Sequence, residues 1–140
     1  MNKKDLIDNL KNDIYCRIGI SKISGVGVIA IRNIPKGINP FKMTKGKCLK
    51  YRSINVTKKD IINLSPDVQK LVTDFISPND DLTYSIPSNG LNSLDISFYM
   101  NHSKNNNIDV LETKCDYLEF VTNIKIKKGD ELTINYNDYK

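Results

Sequence analysis

The sequence predicts a mostly β protein of the α+β class, folded as a single domain over residues 1–140. Several short segments are rich in β-branched residues, glycine and proline separate these segments, and one stretch in the middle has helical periodicity. A chain of 140 residues has the usual size of one domain, and its hydrophobic fraction of 39% is sufficient for one core. The expected architecture is therefore several short sheets with one helical insertion.

The first part of the chain is predicted to hold one helix and then strands. Leu6, Ile7 and Leu10 lie at helical spacing, which predicts an N-terminal helix within about residues 1–14. The texture then changes to β-branched residues interrupted by the turn segments "KISGVG" and "IPKGI". The predicted strands lie within residues 14–21, 28–34 and 48–56.

The helical insertion is predicted to cover about residues 53–90. Thr57 and Asp60 have the spacing of a capping box, and Ser65-Pro66 has the residues that start a second helix. One apolar face of this second helix is predicted to be core, namely Val68, Leu71, Val72, Phe75 and Ile76. After the insertion, strands are predicted within residues 109–113, 117–124 and 131–136.

Composition excludes some classes of protein. No apolar run approaches the roughly 20 residues that cross a bilayer, and no signal peptide is recognisable, so a soluble intracellular protein with no membrane contact is expected. Three widely spaced cysteines and a single histidine do not have the spacing of a zinc site, so no metal is expected.

The charge is distributed unevenly along the chain. Residues 1–60 contain 14 Lys or Arg against 4 Asp or Glu, whereas residues 61–140 contain 7 against 12. One interpretation is a basic surface for a polyanion beside an acidic surface for a cationic partner. The other is a solvated lysine-rich face, which the excess of 18 lysines over 3 arginines favours.

Two motifs contain small polar or glycine residues that suit a binding site. The stretch "SGVGVIA" contains Gly25-Val26-Gly27, but the β-branched residues and the proline that follow contradict a dinucleotide-binding helix. Its two glycines still allow a backbone to come very close to another group, although a plain hairpin turn is an alternative. The stretch "FYMNHS" holds the only histidine, His102, next to Asn101, either in a polar turn or in a site.

The third motif is "KKGDELTINY". Leu132, Ile134 and Tyr136 alternate in it, so Tyr136 is predicted to point inward with the apolar side chains. A buried tyrosine hydroxyl needs a hydrogen-bond partner, which is either structural or a substrate.

The order and spacing of these three motifs resemble the SET domain of protein-lysine methyltransferases. "FYMNHSKNNN" is similar to that family's Arg-Phe-Ile-Asn-His-Ser-Cys-x-Pro-Asn, and "NIKIKKGDELTINYNDY" to its Gly-Glu-Glu-Leu-Thr-x-x-Tyr end. "IRNIPKGI" resembles the segment that follows the family's glycine loop. The resemblance spans about residues 15–139, and the short length resembles the minimal viral members. Lys104 and Asn106 depart from the pattern, since they stand where the family has cysteine and proline.

The resemblance implies S-adenosylmethionine as the methyl donor, a lysine side chain as the acceptor and a C-terminal pseudoknot. It implies that Tyr136 is the catalytic residue and also contacts the cofactor. The other implied cofactor-binding residues are Gly25, Val26, Gly27, Asn101 and His102. The candidates for a substrate-lysine channel are Tyr84, Tyr99 and Tyr139.

The implied partner is a lysine-containing protein. A histone tail is the expected substrate because the acidic C-terminal half suits a basic peptide, and a location in the nucleus or a host nucleus follows from that substrate. A contact of the basic N-terminal half with nucleosomal DNA and a homodimer are both compatible with the sequence. The alternatives are a catalytically silent SET-like module that binds a partner and a small basic nucleic-acid-binding domain.

Overall fold

The computed structural model describes residues 2–43, 53–112 and 118–139, the last without the side chain of Tyr139. Within these residues, the α-helices are α1 (Lys3–Asn12), α2 (Lys58–Ile62) and α3 (Pro66–Phe75). The strands are β1 (Cys16–Ile20), β2 (Val26–Ala30), β3 (Ser53–Val56), β4 (Tyr84–Pro87), β5 (Asn101–His102), β6 (Ile108–Leu111), β7 (Glu119–Thr122) and β8 (Glu131–Ile134). Short 3₁₀ helices cover Leu91–Ser93, Ile96–Tyr99 and Tyr136–Tyr139.

The central sheet has the strand order β1-β2-β8-β5. β1 and β2 form an antiparallel hairpin, β8 pairs antiparallel with β2, and β5 pairs parallel with β8. The last strand of the chain is therefore enclosed between strands that precede it in sequence, which is the predicted pseudoknot. β3 pairs with β4 and β6 with β7 in two further small sheets, so the expected architecture of several short sheets is confirmed.

The main core lies against the central sheet. It contains residues from β2, β6, β7 and β8 together with three residues from the connecting segments. Its buried members are Val28, Ala30, Ile34, Met100, Ile108, Phe120, Ile126, Leu132 and Ile134. β2 and β8 contribute two of these residues each, so the enclosed strand is part of the core.

The segment around residues 53–90 has a small core of its own. The predicted capping box of Thr57 and Asp60 is present, and Ile61, Val72 and Ile76 form the buried cluster between the helices and the β3-β4 sheet. The expectation that Val68 and Leu71 are core residues is wrong, because they are 39% and 41% exposed. The two-stranded sheet covers only a narrow line along the ten-residue helix α3. The rest of the apolar face of α3 therefore stays at the surface.

The N-terminal helix α1 also buries less apolar surface than its pattern predicts. Leu6, Ile7 and Leu10 are 42%, 38% and 52% exposed. The buried side chain is that of Asn9, whose amide donates to the Lys42 carbonyl at 3.3 Å. None of the helices in the described residues is long and apolar enough to span a membrane.

Asn107 extends the central sheet beyond the end of β5. Its side-chain amide donates to the Glu131 carbonyl at 2.9 Å, and its side-chain oxygen accepts from the Thr133 N–H at 2.9 Å. The two bonds replace those that a further strand residue would make to β8, because β5 pairs over two residues only. A single side chain therefore adds two hydrogen bonds to β8 beside its short pairing with β5.

We expect Asn107→Ala to lower the free energy of unfolding by about 1–3 kcal/mol, because it leaves two backbone groups of β8 without a partner. The change is measured by urea denaturation. Asn105→Ala is the matched control, since Asn105 is exposed and its side chain makes no hydrogen bond within the described residues. Equal stability of the two variants would contradict the role of Asn107.

Candidate functional site

The turn between β1 and β2 is shaped by Ser21 and Gly25. The Ser21 N–H donates to the Gly25 carbonyl at 3.0 Å, and the Ser21 hydroxyl accepts from the N–H groups of Ile23 and Ser24 at 2.8 and 3.1 Å. Gly25 has φ +53°, the left-handed conformation that glycine adopts without penalty. The turn therefore requires glycine for its backbone conformation. A Cβ at this position would meet no atom within 4 Å, so the space beside Gly25 is open.

Gly27 serves a different purpose from Gly25. Its Cβ would lie 3.1 Å from the Asn101 amide nitrogen, 2.9 Å from the Glu131 Cδ and closer still to the Glu131 Oε1. The sequence predicts that the glycine allows a close backbone approach, and the resemblance names the cofactor as the approaching group. In the described structure, the group against Gly27 is the chain's own Glu131 carboxylate.

The side-chain amide of Asn101 joins the glycine turn to β8. Its nitrogen lies 3.0 Å from Ser21 Oγ, 3.1 Å from the Ser24 carbonyl, 3.0 Å from the Val26 carbonyl and 2.9 Å from Glu131 Oε1. An amide NH₂ has two protons, so four acceptors share two donors. Asn101 thus ties the glycine turn to β8, and the space around its amide is rich in oxygen atoms that accept hydrogen bonds.

Glu131 is held by neutral donors. Ser21 Oγ lies 2.8 Å and 2.9 Å from its two carboxylate oxygens, and Asn101 contacts one of them. Neither of the two ion pairs among the described residues involves Glu131. A carboxylate without a cationic partner beside an open turn gives this place a negative potential.

The imidazole of His102 fixes the chain that follows β8. Its Nδ1 accepts from the Tyr136 N–H at 3.0 Å, and the two rings lie 5.2 Å apart between centroids at 47°. Since Nδ1 accepts, the neutral ring carries its proton on Nε2. The Ser103 N–H adds a bond to the Ile134 carbonyl at 2.9 Å. The histidine side chain is therefore a contact of the pseudoknot.

Tyr136 does not point inward with Leu132 and Ile134 as their alternation predicts. β8 ends at Ile134, Tyr136 begins a 3₁₀ helix, and the residue is 48% exposed. Its hydroxyl donates to the Met100 carbonyl at 2.9 Å. Partial burial raises the pKa of Tyr136 above its usual range, so the side chain is a neutral phenol at physiological pH.

The predicted site residues fall into two groups. Gly25, Val26, Gly27 and Asn101 meet at the glycine turn, and His102 and Tyr136 contact each other one residue further along β5.

Two of the predicted channel residues make ring or core contacts, and the side chain of the third lies outside the described residues. The ring of Tyr99 packs edge-on against Phe75 at 5.3 Å, and Tyr84 packs against the small core of the insertion. In the part of the chain that is described, no hydrogen bond or ring contact joins either to Tyr136. The side chain of Tyr139 lies outside the described residues.

No group of three or more His, Cys, Asp or Glu side chains within residues 2–43, 53–112 and 118–139 could hold a metal ion. The one described cysteine, Cys16, is far from the glycine turn along β1, and burial raises the pKa of its thiol to about 12.

Ser21 and Glu131 are functional candidates that sequence reasoning misses. Ser21 directly precedes the segment "KISGVG", and Glu131 lies within the motif "KKGDELTINY". They are 110 positions apart, and only the pairing of β8 with β2 shows that they meet. Their closeness to these motifs is the signal in the sequence, but spacing along the chain does not show that the two side chains meet.

The fold and this site define a class of protein: a small β-rich domain in which a glycine turn, an Asn-His pair and a C-terminal tyrosine meet around an enclosed strand. The sequence model of the SET domain matches residues 25–137. The chain belongs to the SET domain family, and the predicted SET fold is confirmed.

Solved structures with the same fold include two proteins of low sequence identity. A candidate histone methyltransferase of Plasmodium falciparum aligns with a TM-score of 0.50 and 17% identity, over 88% of this chain and 93% of the other. A humanized mutant of the Chaetomium thermophilum Polycomb Repressive Complex 2 bound to the inhibitor GSK126 aligns with a TM-score of 0.54 and 19% identity. That alignment covers 89% of this chain and 15% of the other. Comparison with curated protein sequences gives no match.

We expect Gly27→Ala to destabilise the protein by an amount that depends on Glu131. The added methyl group displaces a carboxylate that Ser21 and Asn101 hold, so the substitution should destabilise the protein by about 1–3 kcal/mol. In a Glu131→Ala background, the same substitution should cost at least 0.5 kcal/mol less, roughly the lower bound for residues in contact. Urea denaturation of the two single variants and the double variant measures this coupling, and strictly additive effects would contradict the contact.

The role of His102 is tested by hydrogen exchange at the Tyr136 amide, measured by NMR. His102→Ala removes the acceptor, so this amide should exchange about tenfold faster, as expected for the loss of a bond worth about 1.4 kcal/mol. His102→Asn provides an oxygen near the position of Nδ1 and should restore much of the protection. Unchanged exchange in His102→Ala would show that the imidazole does not hold the chain after β8.

Proposed function

We propose that this protein is a protein-lysine N-methyltransferase that transfers a methyl group from S-adenosylmethionine to a lysine of a histone tail. Membership of the SET domain family supports lysine methyltransferase activity at the level of the family. The observation that carries the proposal is the oxygen-rich position between the glycine turn and β8, together with Tyr136, whose hydroxyl donates to the carbonyl of Met100, the residue before Asn101.

The residues present fit this cofactor. An ammonium group and a sulfonium are both cationic, and the carbonyls of Ser24 and Val26 with the Glu131 carboxylate provide acceptors for a cation. Gly25 leaves open space beside these oxygens. We assign the backbone of residues 25–27, the pair Asn101 and His102, and Tyr136 to the cofactor-binding surface.

Tyr136 acts by position rather than as a base. When bound, S-adenosylmethionine supplies an electrophilic methyl group on a positively charged sulfur. The phenol proton of Tyr136 is donated to the Met100 carbonyl, so the oxygen's lone pairs remain available for a weak C–H···O contact with a polarised methyl group. The raised pKa keeps the phenol neutral, which excludes a tyrosinate base at physiological pH.

The acceptor lysine must be neutral to attack. Entry into an apolar-aromatic channel next to a cation lowers the pKa of an amine, because burial and a like charge both disfavour its charged form. Tyr84, Tyr99 and Tyr139 stay proposals for this channel.

The excess of acids in residues 61–140 supports a basic peptide as the substrate. Four further expectations stay predictions. They are a nuclear or host-nuclear location, kinship with the minimal viral members, a homodimer and a DNA contact of the N-terminal half.

The activity is tested by incubation with S-adenosylmethionine and mixed histones, followed by mass analysis of the peptides. Tyr136→Phe is the decisive variant. It should bind S-adenosylhomocysteine nearly as the wild type does in calorimetric titration, yet transfer methyl groups about 10²-fold more slowly, the size expected when a positioning contact is lost.

Tyr15→Phe is the matched control, because Tyr15 lies outside the site and contacts Arg32 through its ring. A wild-type rate in Tyr136→Phe would remove Tyr136 from the mechanism. A wild type that binds the cofactor product and methylates no histone would support the silent partner-binding alternative.

A further inference from the structure

Two segments that are distant in sequence meet at one end of the central sheet. Ile34 and Ile126 form an isolated antiparallel bridge, with N–H to carbonyl distances of 2.8 and 2.9 Å in the two directions. Both isoleucines are buried, which aims their immediate neighbours Lys125 and Lys127 outward, and Lys36 and Lys128, two positions from the isoleucines, are also exposed. The Lys128 N–H also donates to the side chain of Asn33 at 2.9 Å, so the segments stay together beyond the bridge.

The two segments bring cationic side chains together. Arg32 and Lys36 come from one segment, and Lys125, Lys127 and Lys128 from the other. The Arg32 guanidinium donates to the Lys11 carbonyl at 3.1 Å, which adds the end of α1. We call the following residues the cationic surface: Lys11, Arg32, Lys36, Lys125, Lys127 and Lys128.

The charge of the cationic surface is not neutralised within the described residues. The two ion pairs there join Lys42 to Asp13 and Lys70 to Asp74, and neither involves the cationic surface. Its five lysines are exposed, and one acid, Asp130, lies in the same turn. The five exposed lysines give a strong local positive potential, to which the half-buried Arg32 guanidinium adds its charge from its place against the Lys11 carbonyl and the Tyr15 ring.

The cationic surface lies at the opposite end of the sheet from the glycine turn. The turn leads into the first residue of β2, whereas the last residue, Ala30, exchanges hydrogen bonds with Asp130 and Gly129 at 2.9 and 2.8 Å. Five strand residues separate the two ends by about 13 Å. A ligand on the cationic surface would therefore leave the candidate site free.

We propose that the cationic surface binds the phosphate backbone of duplex nucleic acid. Exposed cationic side chains, most of them lysine, suit phosphates. A phosphate contact requires a positive charge on a side chain long enough to reach the phosphate, and it does not require the planar two-point geometry of arginine. Sequence composition assigns the basic character to residues 1–60, but three of the six cations belong to the half with an excess of acids. The surface exists only because the Ile34–Ile126 bridge joins both halves.

The test uses the full chain without cofactor and a labelled duplex of about 30 base pairs, with fluorescence anisotropy between about 50 and 200 mM salt. Lys127→Ala/Lys128→Ala should weaken binding about tenfold at low salt and reduce the slope of log K against log salt by roughly two. Lys36→Ala/Lys125→Ala should have a similar effect, because both segments contribute.

Lys58→Ala/Lys59→Ala is the matched control, with the same charge change on the exposed helix α2, and its binding should stay within about twofold of the wild type. Thermal melts confirm that all variants are folded. No duplex binding at low salt, equal weakening in the three variants, or preference for single-stranded RNA of the same length would overturn the proposal.

The result is independent of the proposed methyl transfer. Binding to duplex is measured without S-adenosylmethionine, so failure of the histone assay leaves it unaffected. If both hold, Lys127→Ala/Lys128→Ala should methylate a free peptide at the wild-type rate and a nucleosome more slowly, since the substituted lysines lie outside the candidate site.

Discussion

The two-residue strand Asn101–His102 is the constraint on which the site depends. Adjacent residues of a strand point to opposite faces, so the amide of Asn101 reaches the glycine turn while the imidazole of His102 reaches the backbone of Tyr136. Because this strand pairs with β8, a single register fixes the directions of both side chains. A shift of one residue in that pairing would exchange the two side chains and separate the turn from the tyrosine.

The site depends on contacts between residues that are distant in the sequence. The contact of Ser21 with Glu131 joins residues 110 positions apart, and the contacts of β8 with β5 and Asn107 join residues about thirty apart. The glycine turn can form its own bonds through the Ser21 hydroxyl, because those are local. The negative potential beside it requires the carboxylate of Glu131, so the core and the site both depend on the placement of β8.

The sequence predicts local features well and long-range contacts poorly. Capping-box spacing at Thr57 and Asp60 places the start of α2, because that signal lies within four residues. Three motifs in order identify the fold. The inward direction of Tyr136 fails, since strand alternation holds only while the strand continues and β8 stops two residues earlier. The partner of Gly27 is likewise absent from the sequence pattern, because a glycine marks a close approach without naming what approaches.

The two ends of the central sheet have opposite electrostatic character, and this has a consequence for selectivity. The glycine-turn end presents the Glu131 carboxylate and backbone carbonyls, whereas the Ile34–Ile126 end presents lysines. A basic peptide is attracted to the first end and repelled from the second, and a polyanion is subject to the reverse. Glu131 stands opposite Ile29 and directly follows the turn that carries Lys127 and Lys128, but its carboxylate is directed to Gly27 and the glycine turn. Under the two proposals, charge placement favours a cationic ligand at one end of this small sheet and a polyanion at the other.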